Sequence, residues 1–407
     1  MNILHKFKLK ESWENYLVEL KSKEDYLDRK LIKNVNQIID SGLNHLNLNF
    51  PIPVKKELQK YKTSKKRLVY FYPEPYNTYL KMINWLLQSD SDYASKFCIN
   101  SYAYQKNKSV NIGIKSLQKE ILAKKKKFFI KSDFSDYFNS INVNILKNKM
   151  TSFFKKEDQD LVNFLLGLLN REEVYVNKEI KLIKNKGVMA GTPISGYLAN
   201  IYMNEVDWEI YKKHIYYIRY ADDIFIMTNK PQEDLKFFEN QISSLNITLN
   251  PNKTNSGKIE DGFTVLGFYF KDNLIDVDEF KVQKMMSRIR RRSRWFKRWE
   301  KSNKVKNEVM VKTFIKGMNV KLYSGDDEDK LNWSRWYFAN INTTKSLEKI
   351  DVYMVQYIRY LISGKHLGYK KHAEVSYEYI KKLGYKSLVN SYWKYKKEIL
   401  KNQIISK

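Results

Sequence analysis

The chain has 407 residues, and its 43% hydrophobic content is enough for two or three packed domains and excludes wholesale disorder. Its single cysteine, Cys98, excludes a disulfide framework and a cysteine-based zinc module, and no apolar run or signal-like N-terminus suggests a membrane, so we expect a cytoplasmic protein. The 74 Lys and Arg residues exceed the 45 Asp and Glu residues by 29, which predicts a nucleic-acid partner more readily than lysine-rich composition bias alone.

The predicted elements change in character along the chain. Residues 1–50 carry apolar positions at helical spacing, and the next 80 residues begin with a strand-like run, KRLVYF, before turning helical. Residues 125–280 contain three apolar runs of strand length, KFFIKSDF, YYIRYADDIFIM and FTVLGFYF, separated by helices. Beyond residue 280 the pattern is helical. This order favours an α+β fold with an antiparallel sheet over a doubly wound parallel sheet.

Two adjacent aspartates lie inside the strand-like run YIRYADDIFIM. Apolar and aromatic residues flank Asp222 and Asp223 on both sides, so we predict that they form the tip of a tight β-hairpin. Aspartate is also common in turns because of its own hydrogen bonding, and an isolated pair is more often a turn feature than a catalytic one. The pair gains functional meaning only where another acidic residue meets it.

A third acidic residue, Asp133, ends a predicted buried strand in FFIKSDFSDYF, where it can lie beside the hairpin. At an effective dielectric near 20, each like-charged pair about 4 Å apart costs about 4 kcal/mol. Bound cations remove this cost, and oxygen ligands suit Mg²⁺ or Mn²⁺. Two such ions would activate a primer 3′-hydroxyl and stabilise the leaving pyrophosphate, so the pattern predicts two-metal phosphoryl transfer.

KSDFSDYFNSI, GVMAGTPISGYLANIYMNEVD, YIRYADDIFIM, LNPNKT and FTVLGF follow one another along the chain. YADD alone is a weak signal, but five motifs in this order resemble the palm of bacterial reverse transcriptases related to group II intron, retron and phage-defence enzymes. The resemblance covers roughly residues 60–280. It implies a right-hand polymerase with an N-terminal helical extension, fingers, an antiparallel-sheet palm, and a helical thumb with a nucleic-acid-binding extension, at residues 1–50, 51–130, 131–280 and 281–407.

The resemblance also implies roles for individual residues. Asp133 and Asp222 would be the principal ligands of two Mg²⁺ ions, with Mn²⁺ as the alternative, and Asp223 and the Phe134 carbonyl would complete the site. Lys253 in NPNKT matches the lysine that protonates the leaving pyrophosphate, although a solvated turn lysine is nearly as common.

Other residues are expected to contact the nucleotide or the primer. Phe138 falls where reverse transcriptases place an aromatic gate against the ribose 2′-hydroxyl, with a plain core phenylalanine as the alternative. Leu266 and Gly267 match the primer grip. The remaining expected nucleotide contacts are Arg67 with one of Lys65 or Lys66, the backbone amides of Asp136 and Tyr137, and the motif residues Ala190, Gly191, Ser195 and Asn200.

The segment GVMAGTPISGYLANIY departs from the pattern GLPQGxPxSPxLANIY that is usual in retron and group II enzymes. Ala190 stands in place of the glutamine, and Gly196 stands in place of the proline. The glutamine supports the incoming nucleotide and its template partner. We therefore expect relaxed or unusual nucleotide selection or template use.

Residues 281–304 combine an apolar helical stripe with a basic one. Their position after the expected primer grip matches a thumb helix that follows the product duplex, whereas a solvated charged face is the ordinary interpretation of such a run. Trp295 and Trp299 are expected to pack in the core rather than stack on bases. The expected nucleic-acid contacts are Lys284, Arg288, Arg291, Arg294, Arg298 and Lys301.

These features predict an RNA-directed DNA polymerase that uses dNTPs, a DNA primer and an RNA template, which we expect to be a dedicated structured non-coding RNA in antiphage defence. Two alternatives stay open: a template-independent or protein-primed DNA polymerase, and a group II intron-like maturase. An RNA-directed RNA polymerase is disfavoured because YADD replaces its usual GDD, and intact acids disfavour a silent RNA-binding protein. The missing VTG tripeptide lowers a retron assignment.

Overall fold

The structure is a computed structural model that describes residues 1–22, 28–43, 46–59, 66–323, 333–366 and 375–405. Lys65, one of the two lysines considered beside Arg67, lies outside the described residues. The described chain forms two compact units, the first ending at Ile259 and the second beginning at Glu260. This boundary falls inside the expected palm, residues 131–280, and the four-part division remains a prediction.

Helices and strands alternate in the first unit, and helices dominate the second. The first unit contains α1 (Ile3–Phe7), α2 (Lys10–Ser22), α3 (Asp28–Asp40), β1 (Val54–Gln59), β2 (Lys66–Phe71), α4 (Tyr76–Ser89), α5 (Ser91–Lys96), α6 (Val110–Leu122), β3 (Phe128–Asp133), α7 (Tyr137–Ser140), α8 (Val143–Phe153), α9 (Gln159–Asn170), β4 (Glu173–Val176), β5 (Glu179–Leu182), α10 (Ser195–Lys212), β6 (Tyr216–Tyr220), β7 (Asp223–Thr228), α11 (Pro231–Ser243) and β8 (Asn255–Lys258). The second unit contains β9 (Phe263–Val265), β10 (Phe268–Lys271), β11 (Leu274–Val277), α12 (Glu279–Asn303), α13 (Asn307–Tyr323), α14 (Trp333–Phe338), α15 (Lys345–Ser363), α16 (Tyr377–Lys382) and α17 (Leu388–Ile405).

Among the named strands of the described chain, pairing is antiparallel with one exception. The first unit holds one sheet in the order β2-β1-β4-β5 and another in the order β6-β7-β3-β8, and the second unit holds a sheet in the order β11-β10-β9. The exception is a parallel contact between β1 and β4, where Val54 lies opposite Tyr175. The predicted α+β class with antiparallel sheets is therefore confirmed.

A buried helix and the N-terminal helices form the core of the first unit. Twelve of the eighteen residues of α10 are buried, so this helix is packed on nearly all sides. In α2, the helically spaced Tyr16, Leu17 and Leu20 are buried as their spacing predicts, and Trp13 is fully enclosed. Helices α6 and α10 contact β6, and α11 contacts β3, so helices support the sheet β6-β7-β3-β8.

The second unit is built around α12. Its apolar stripe is buried at Val282, Met285, Ile289 and Phe296, as its helical spacing predicts. Trp295 is 51% exposed, so the expectation that it packs in the core is wrong: it lies outside the buried stripe. Within the described ranges, each helix is too short or too polar to cross a bilayer.

Candidate active site

The YADD segment forms a tight hairpin. Tyr220 pairs with Asp223 across β6 and β7, which leaves Ala221 and Asp222 as a two-residue turn. Ala221 has a φ of +58°, in the left-handed region that favours glycine and that occurs at the first position of type II′ hairpin turns. A non-glycine residue there costs roughly 1–3 kcal/mol. The turn presents both aspartates at one end of the sheet.

Asp133 meets this hairpin at the same end of the sheet. It is the last residue of β3 and lies directly opposite Asp223 on β7. Residues paired in this way have Cα atoms about 4.5–5.5 Å apart. The next amide, that of Phe134, donates to the carbonyl oxygen of Asp222 at 3.1 Å. The structure thus brings Asp133 beside Asp222 and Asp223, from which it is distant in sequence.

The electrostatics of the three aspartates fit a cation. Burial, followed by the charges of Asp222 and Asp133, raises the pKa of Asp223 to about 6, and burial also raises the pKa of Asp222. Asp133 is 4% exposed, and its Oδ1 atom has no hydrogen-bond partner in the described chain. An orphaned carboxylate oxygen beside like charges suits a hard divalent ion. No three His, Cys, Asp or Glu side chains of the described residues are already arranged around one point.

Lys253 provides the positive charge that Asp133 contacts. Its ammonium donates to Asp133 Oδ2. The turn that carries it is fixed to the end of β3, because the amide of Asn250 donates to the Asp133 carbonyl at 2.9 Å. Burial lowers the pKa of Lys253, but the hydrogen bond and the nearby carboxylates outweigh it and raise the pKa overall. Lys253 therefore stays protonated at neutral pH and can donate a proton.

Asp223→Asn is expected to stabilise the metal-free protein above pH 6. The raised pKa of Asp223 means that its protonated form contributes stability below pH 4, which is lost as the pH rises through about 6. The surrounding protein desolvates the carboxyl group, but the residue as a whole is exposed to solvent; we give the exposure more weight, so screening reduces the effect to about 1 kcal/mol, or about 2 °C in melting temperature. Thermal melts in chelator should show the gain at pH 7.5 and none at pH 4. Asp160→Asn, at an exposed position of α9, is the control, and a less stable Asp223→Asn at pH 7.5 would contradict the argument.

A buried polar network lies beneath the hairpin turn. Arg219 is fully buried and contacts both carboxylate oxygens of Asp207 on α10. It also donates to Asn200 Oδ1 at 3.0 Å and to the Ala221 carbonyl at 3.3 Å. The sequence analysis missed Arg219 and Asp207. A charged residue inside the apolar strand YYIRY was the signal that could have identified Arg219.

Phe138 has an aromatic neighbour that the sequence analysis also missed. Its half-buried ring lies edge-on to Tyr104, with 6.1 Å between ring centroids. Tyr104 has a φ of +56° and is 41% exposed. A Cβ atom at Gly196 would lie 2.4 Å from the Tyr104 ring, so the glycine that replaces the usual proline makes room for this ring. Gly196 was the available signal.

Arg67 and Lys66, both expected to bind the triphosphate, have different surroundings in the structure. Arg67 is exposed on β2, and its charge acts on Asp222 and Tyr104. Lys66 instead forms an ion pair with Glu57 at 2.6 Å. Neighbouring residues of a strand point to opposite faces, so both cannot face the aspartates. The structure groups Arg67 with the site and leaves Lys66 outside it.

The segment after Asp133 starts the short helix α7. Asp136 has a φ of +44°. Its carboxylate accepts a hydrogen bond from the Asn139 side-chain amide, and within the described chain it does not cap the helix. The first amides of a helix have no intrahelical acceptor, which leaves those of Asp136 and Tyr137 suited to an anion. The Tyr137 ring is buried, and its hydroxyl donates to Ala199 at 2.7 Å.

The motif around Ala190 packs against β2. The amide of Tyr70 donates to the Ala190 carbonyl at 2.7 Å. Gly191 has a φ of +101°, and a Cβ atom there would lie 3.0 Å from the Tyr70 carbonyl oxygen. Only glycine suits this close approach. The motif and β2 are thus held together through their backbones.

Two residues expected to contact the nucleotide are buried. Ser195 is 4% exposed, and its hydroxyl donates to the Thr192 carbonyl at 2.8 Å. Asn200 is 0% exposed, with its amide bonded to Ala103 and Arg219. The Asn200 side chain has no accessible surface, so it supports the site from beneath and does not touch a nucleotide. Ser195 keeps a little surface, as Ala190 does, and its expected contact with the nucleotide stays a prediction.

Leu266 and Gly267 form a tight turn in the second unit. Val265 pairs with Phe268, so these two residues connect β9 and β10 directly. Both have positive φ, +51° and +87°, which is the pattern of a type I′ hairpin turn. The leucine carries conformational strain that glycine would not. A fixed tip of this kind fits the expected primer grip.

The basic stripe of α12 faces solvent. Trp295 and Trp299 stack beside it, with ring centroids 6.3 Å apart and planes inclined by 9°. Trp295 is exposed and Trp299 is half-buried, so this pair next to cations provides surface for base stacking as well as phosphate contact. The stripe consists of Lys284, Arg291, Arg294, Arg298 and Lys301, which are exposed, and Arg288, which is half-buried.

Comparison with known proteins gives the family. Solved structures similar to the chain include apo telomerase from Candida tropicalis truncated from its C-terminal domain, with 16% identity over 57% of this chain and 56% of that one and a TM-score of 0.43. Another is telomerase from Candida albicans with a TWJ fragment of telomeric RNA, with 11% identity over 85% and 66% and a TM-score of 0.42. The chain spans less than two thirds of these telomerase chains. Comparison with curated proteins found no match.

Residues 55–270 match the family described as reverse transcriptase (RNA-dependent DNA polymerase). The predicted α+β polymerase fold is confirmed. Reverse transcriptases bind RNA and DNA and generally use divalent metal ions. Because the match spans more than half of the chain, the chain belongs to the reverse transcriptase family, whose domain is that of an RNA-directed DNA polymerase, a nucleotidyltransferase.

Proposed function

We propose that this chain extends a DNA primer with dNTPs along an RNA template, at a centre formed by Asp133, Asp222 and Asp223. The observation that carries the proposal is the pairing of Asp133 with Asp223 at one end of the sheet, with a buried Asp133 oxygen that no described group contacts. Three carboxylates at this spacing repel one another unless cations join them. Family membership supplies the reaction class.

Each residue has a defined part in this proposal. Asp133, Asp222, Asp223 and the Phe134 carbonyl would hold two Mg²⁺ ions, with Mn²⁺ as the alternative. When bound, such ions would supply positive charge for activation of the primer 3′-hydroxyl and for departure of the pyrophosphate. Lys253 donates a proton to that leaving group, which fits its contact with Asp133.

The proposed nucleotide contacts come from chain segments next to the aspartates. Arg67 binds the triphosphate as a bidentate cation. The amides of Asp136 and Tyr137 donate to its oxygens from the start of α7. Ala190 and Gly191 contact the nucleotide, and the hydrogen bond from the Tyr70 amide of β2 to the Ala190 carbonyl holds their backbone in place.

The test is primer extension by the purified full chain on a defined RNA template with a DNA primer, Mg²⁺ and four dNTPs. We expect DNA complementary to the template. Synthesis from ribonucleotides only, or none on RNA templates, would overturn the proposal. Omission of the template tests the second candidate function, template-independent or protein-primed DNA synthesis. Ala190 and the Tyr104 ring at Gly196 favour this candidate, because both change the surroundings of the nucleotide.

Phe138→Ala should reduce discrimination against ribonucleotides by about tenfold or more, because about 1.4 kcal/mol of steric exclusion is lost. The ring is half-buried and restrained by Tyr104, so it presents a firm surface to a ribose. The ratio of kcat/KM for dNTP and rNTP measures the effect. Phe138→Tyr keeps the ring and should keep the ratio. Unchanged discrimination in Phe138→Ala would make Phe138 a core residue only.

Ala190→Gln should lower misincorporation by about fivefold, the value of one added hydrogen bond to the nascent pair. Ala190 is 5% exposed and its backbone is held by Tyr70, so the longer side chain extends from a fixed point. Ala190→Leu adds similar bulk without the amide and is the matched control. Single-nucleotide insertion assays measure the effect. Equal fidelity in the native chain and Ala190→Gln would reject a role for this position in selection.

We further propose that the chain is a bacterial enzyme related to group II intron, retron and phage-defence reverse transcriptases. In this proposal it copies a dedicated structured RNA in antiphage defence; the alternative is an intron maturase. The basic stripe of α12 supports RNA and DNA binding, and its affinity should fall with salt by a log–log slope of about −0.7 to −0.9 per neutralised phosphate. Sequencing the nucleic acid that copurifies with the chain, and its DNA product, tests this. A random mixture of cellular RNA would overturn a dedicated template.

A further inference from the structure

A polar cavity of about 370 Å³ opens in the first unit. Its walls come from the segment between α7 and α8, the C-terminal end of α9, and the loop that follows β5. The volume lies within the ~300–1,000 Å³ range of small-molecule sites. None of the residues assigned to catalysis or nucleotide contact above lines it.

The cavity contains a buried cation without a partner. Lys186 is 3% exposed, and its Nζ atom has no hydrogen-bond acceptor in the described parts of the chain. Burial lowers the pKa of Lys186 to about 8; Glu173 and Glu172 oppose this and Arg171 adds to it, and the ammonium is still mostly charged at neutral pH. An unpaired buried ammonium is costly. An anion that enters the cavity removes this cost.

Several asparagines line the same cavity as this cation. Asn139 Oδ1 is buried and also lacks a donor among the described groups. Each amide offers two donors and one acceptor, the combination that matches the edges of nucleobases. The asparagines that line the cavity are Asn139, Asn142, Asn144, Asn170, Asn185 and Asn246. Lys184 and Glu172, both exposed, also line the cavity, so Lys186 is its buried cation and Glu172 its one carboxylate. A buried cation beside a set of amides suits a ligand with one anionic group and one polar planar group.

We propose that this cavity binds a phosphorylated nucleoside, with its phosphate at Lys186 and its base among the asparagine amides. A free nucleotide and a nucleotide unit of an RNA strand share this chemistry. The site adjoins the expected ribose gate, because the Val188 amide donates to the Phe138 carbonyl at 3.0 Å. A Cβ atom at Gly187 would lie 1.9 Å from the same carbonyl oxygen, so the loop that carries Lys186 rests on the backbone of Phe138. An occupied cavity would therefore restrain the gate from behind.

The experiment is calorimetric titration of the full chain, in EDTA, with the four nucleoside monophosphates, with inorganic phosphate and with a short single-stranded RNA. Chelation prevents metal-dependent binding at the aspartates. Lys186→Met should weaken nucleotide binding by about tenfold or more, whereas Lys186→Arg retains the charge and should retain part of the affinity. Lys181→Met, at an exposed position of β5 just before the loop that carries Lys186, is the matched control and should change affinity by less than about twofold.

A second pair of variants avoids any change in the buried wall. Asn170→Asp adds a negative charge at the exposed rim and should weaken phosphate-bearing ligands, whereas Asn163→Asp adds the same charge elsewhere on α9 and should not. Lys186-dependent binding of a monophosphate identifies a free nucleotide, and Lys186-dependent binding of RNA alone identifies a strand; either supports the site. The proposal would be overturned if inorganic phosphate bound as tightly as every nucleotide, or if no ligand bound at concentrations up to ~10 mM. It would also be overturned if the affinity did not change in the Lys186 and Asn170 variants.

Discussion

Asp222→Asn is expected to lower the rate of DNA synthesis by about 1,000-fold or more while leaving affinity for RNA within about twofold. The substitution keeps the size of the side chain and the two-residue turn, but it removes one of the carboxylates that meet at the end of the sheet. An amide cannot replace an anionic ligand of a divalent ion. The variant should therefore lose nucleotide addition but keep the surfaces that bind nucleic acid.

Single-turnover primer extension and RNA binding by fluorescence anisotropy measure the two effects separately. Asp160→Asn makes the same chemical change at an exposed position of α9 and should leave both unchanged. The melting temperature of Asp222→Asn should not fall, because burial already raises the pKa of this carboxyl and the variant removes a penalised charge. A variant with normal turnover would remove Asp222 from the centre, and one that also loses RNA binding would indicate a folding defect.

The sequence predicted the hairpin and its acids because their signals are local. Apolar residues on both sides of Asp222 and Asp223 leave few conformations other than a tight turn between two buried strands. Asp133 ends a run of the same kind, and an antiparallel partner brings it to the hairpin. The buried positions of α2 and α12 followed from helical spacing alone.

Contacts between distant segments decided what the sequence analysis missed. Tyr104 reaches Gly196 across 92 residues, and sequence spacing carries no information about such a contact. Asn200 matched a motif, but it lies on a helix that is buried on nearly all sides, so its side chain supports the site and does not contact the nucleotide. Trp295 was expected to pack in the core, whereas its angular position on α12 places it outside the buried stripe. The surroundings of all three residues depend on which face of a helix or loop packs against the core, and tertiary packing alone determines that face.

Arg219→Met is expected to destabilise the protein by about 3–5 kcal/mol, because it leaves the Asp207 carboxylate buried without its cation. Only the Tyr217 hydroxyl, at 3.0 Å, would remain as a side-chain donor to Asp207 among the contacts seen in the described chain. Lys155→Met removes one partner of an exposed ion pair with Asp92 and should cost less than about 1 kcal/mol. Thermal and denaturant unfolding of the full chain measure the difference.

The double variant Arg219→Met with Asp207→Leu separates stability from positioning. Removal of both charges should recover most of the lost stability, since a buried ion pair adds little over apolar residues of similar volume. Activity should remain low, because the Ala221 carbonyl and the Asn200 amide still lack the guanidinium that joins them beneath the turn. Arg219 is thus a positioning residue, and full recovery of kcat in the stable double variant would show that it contributes to folding alone.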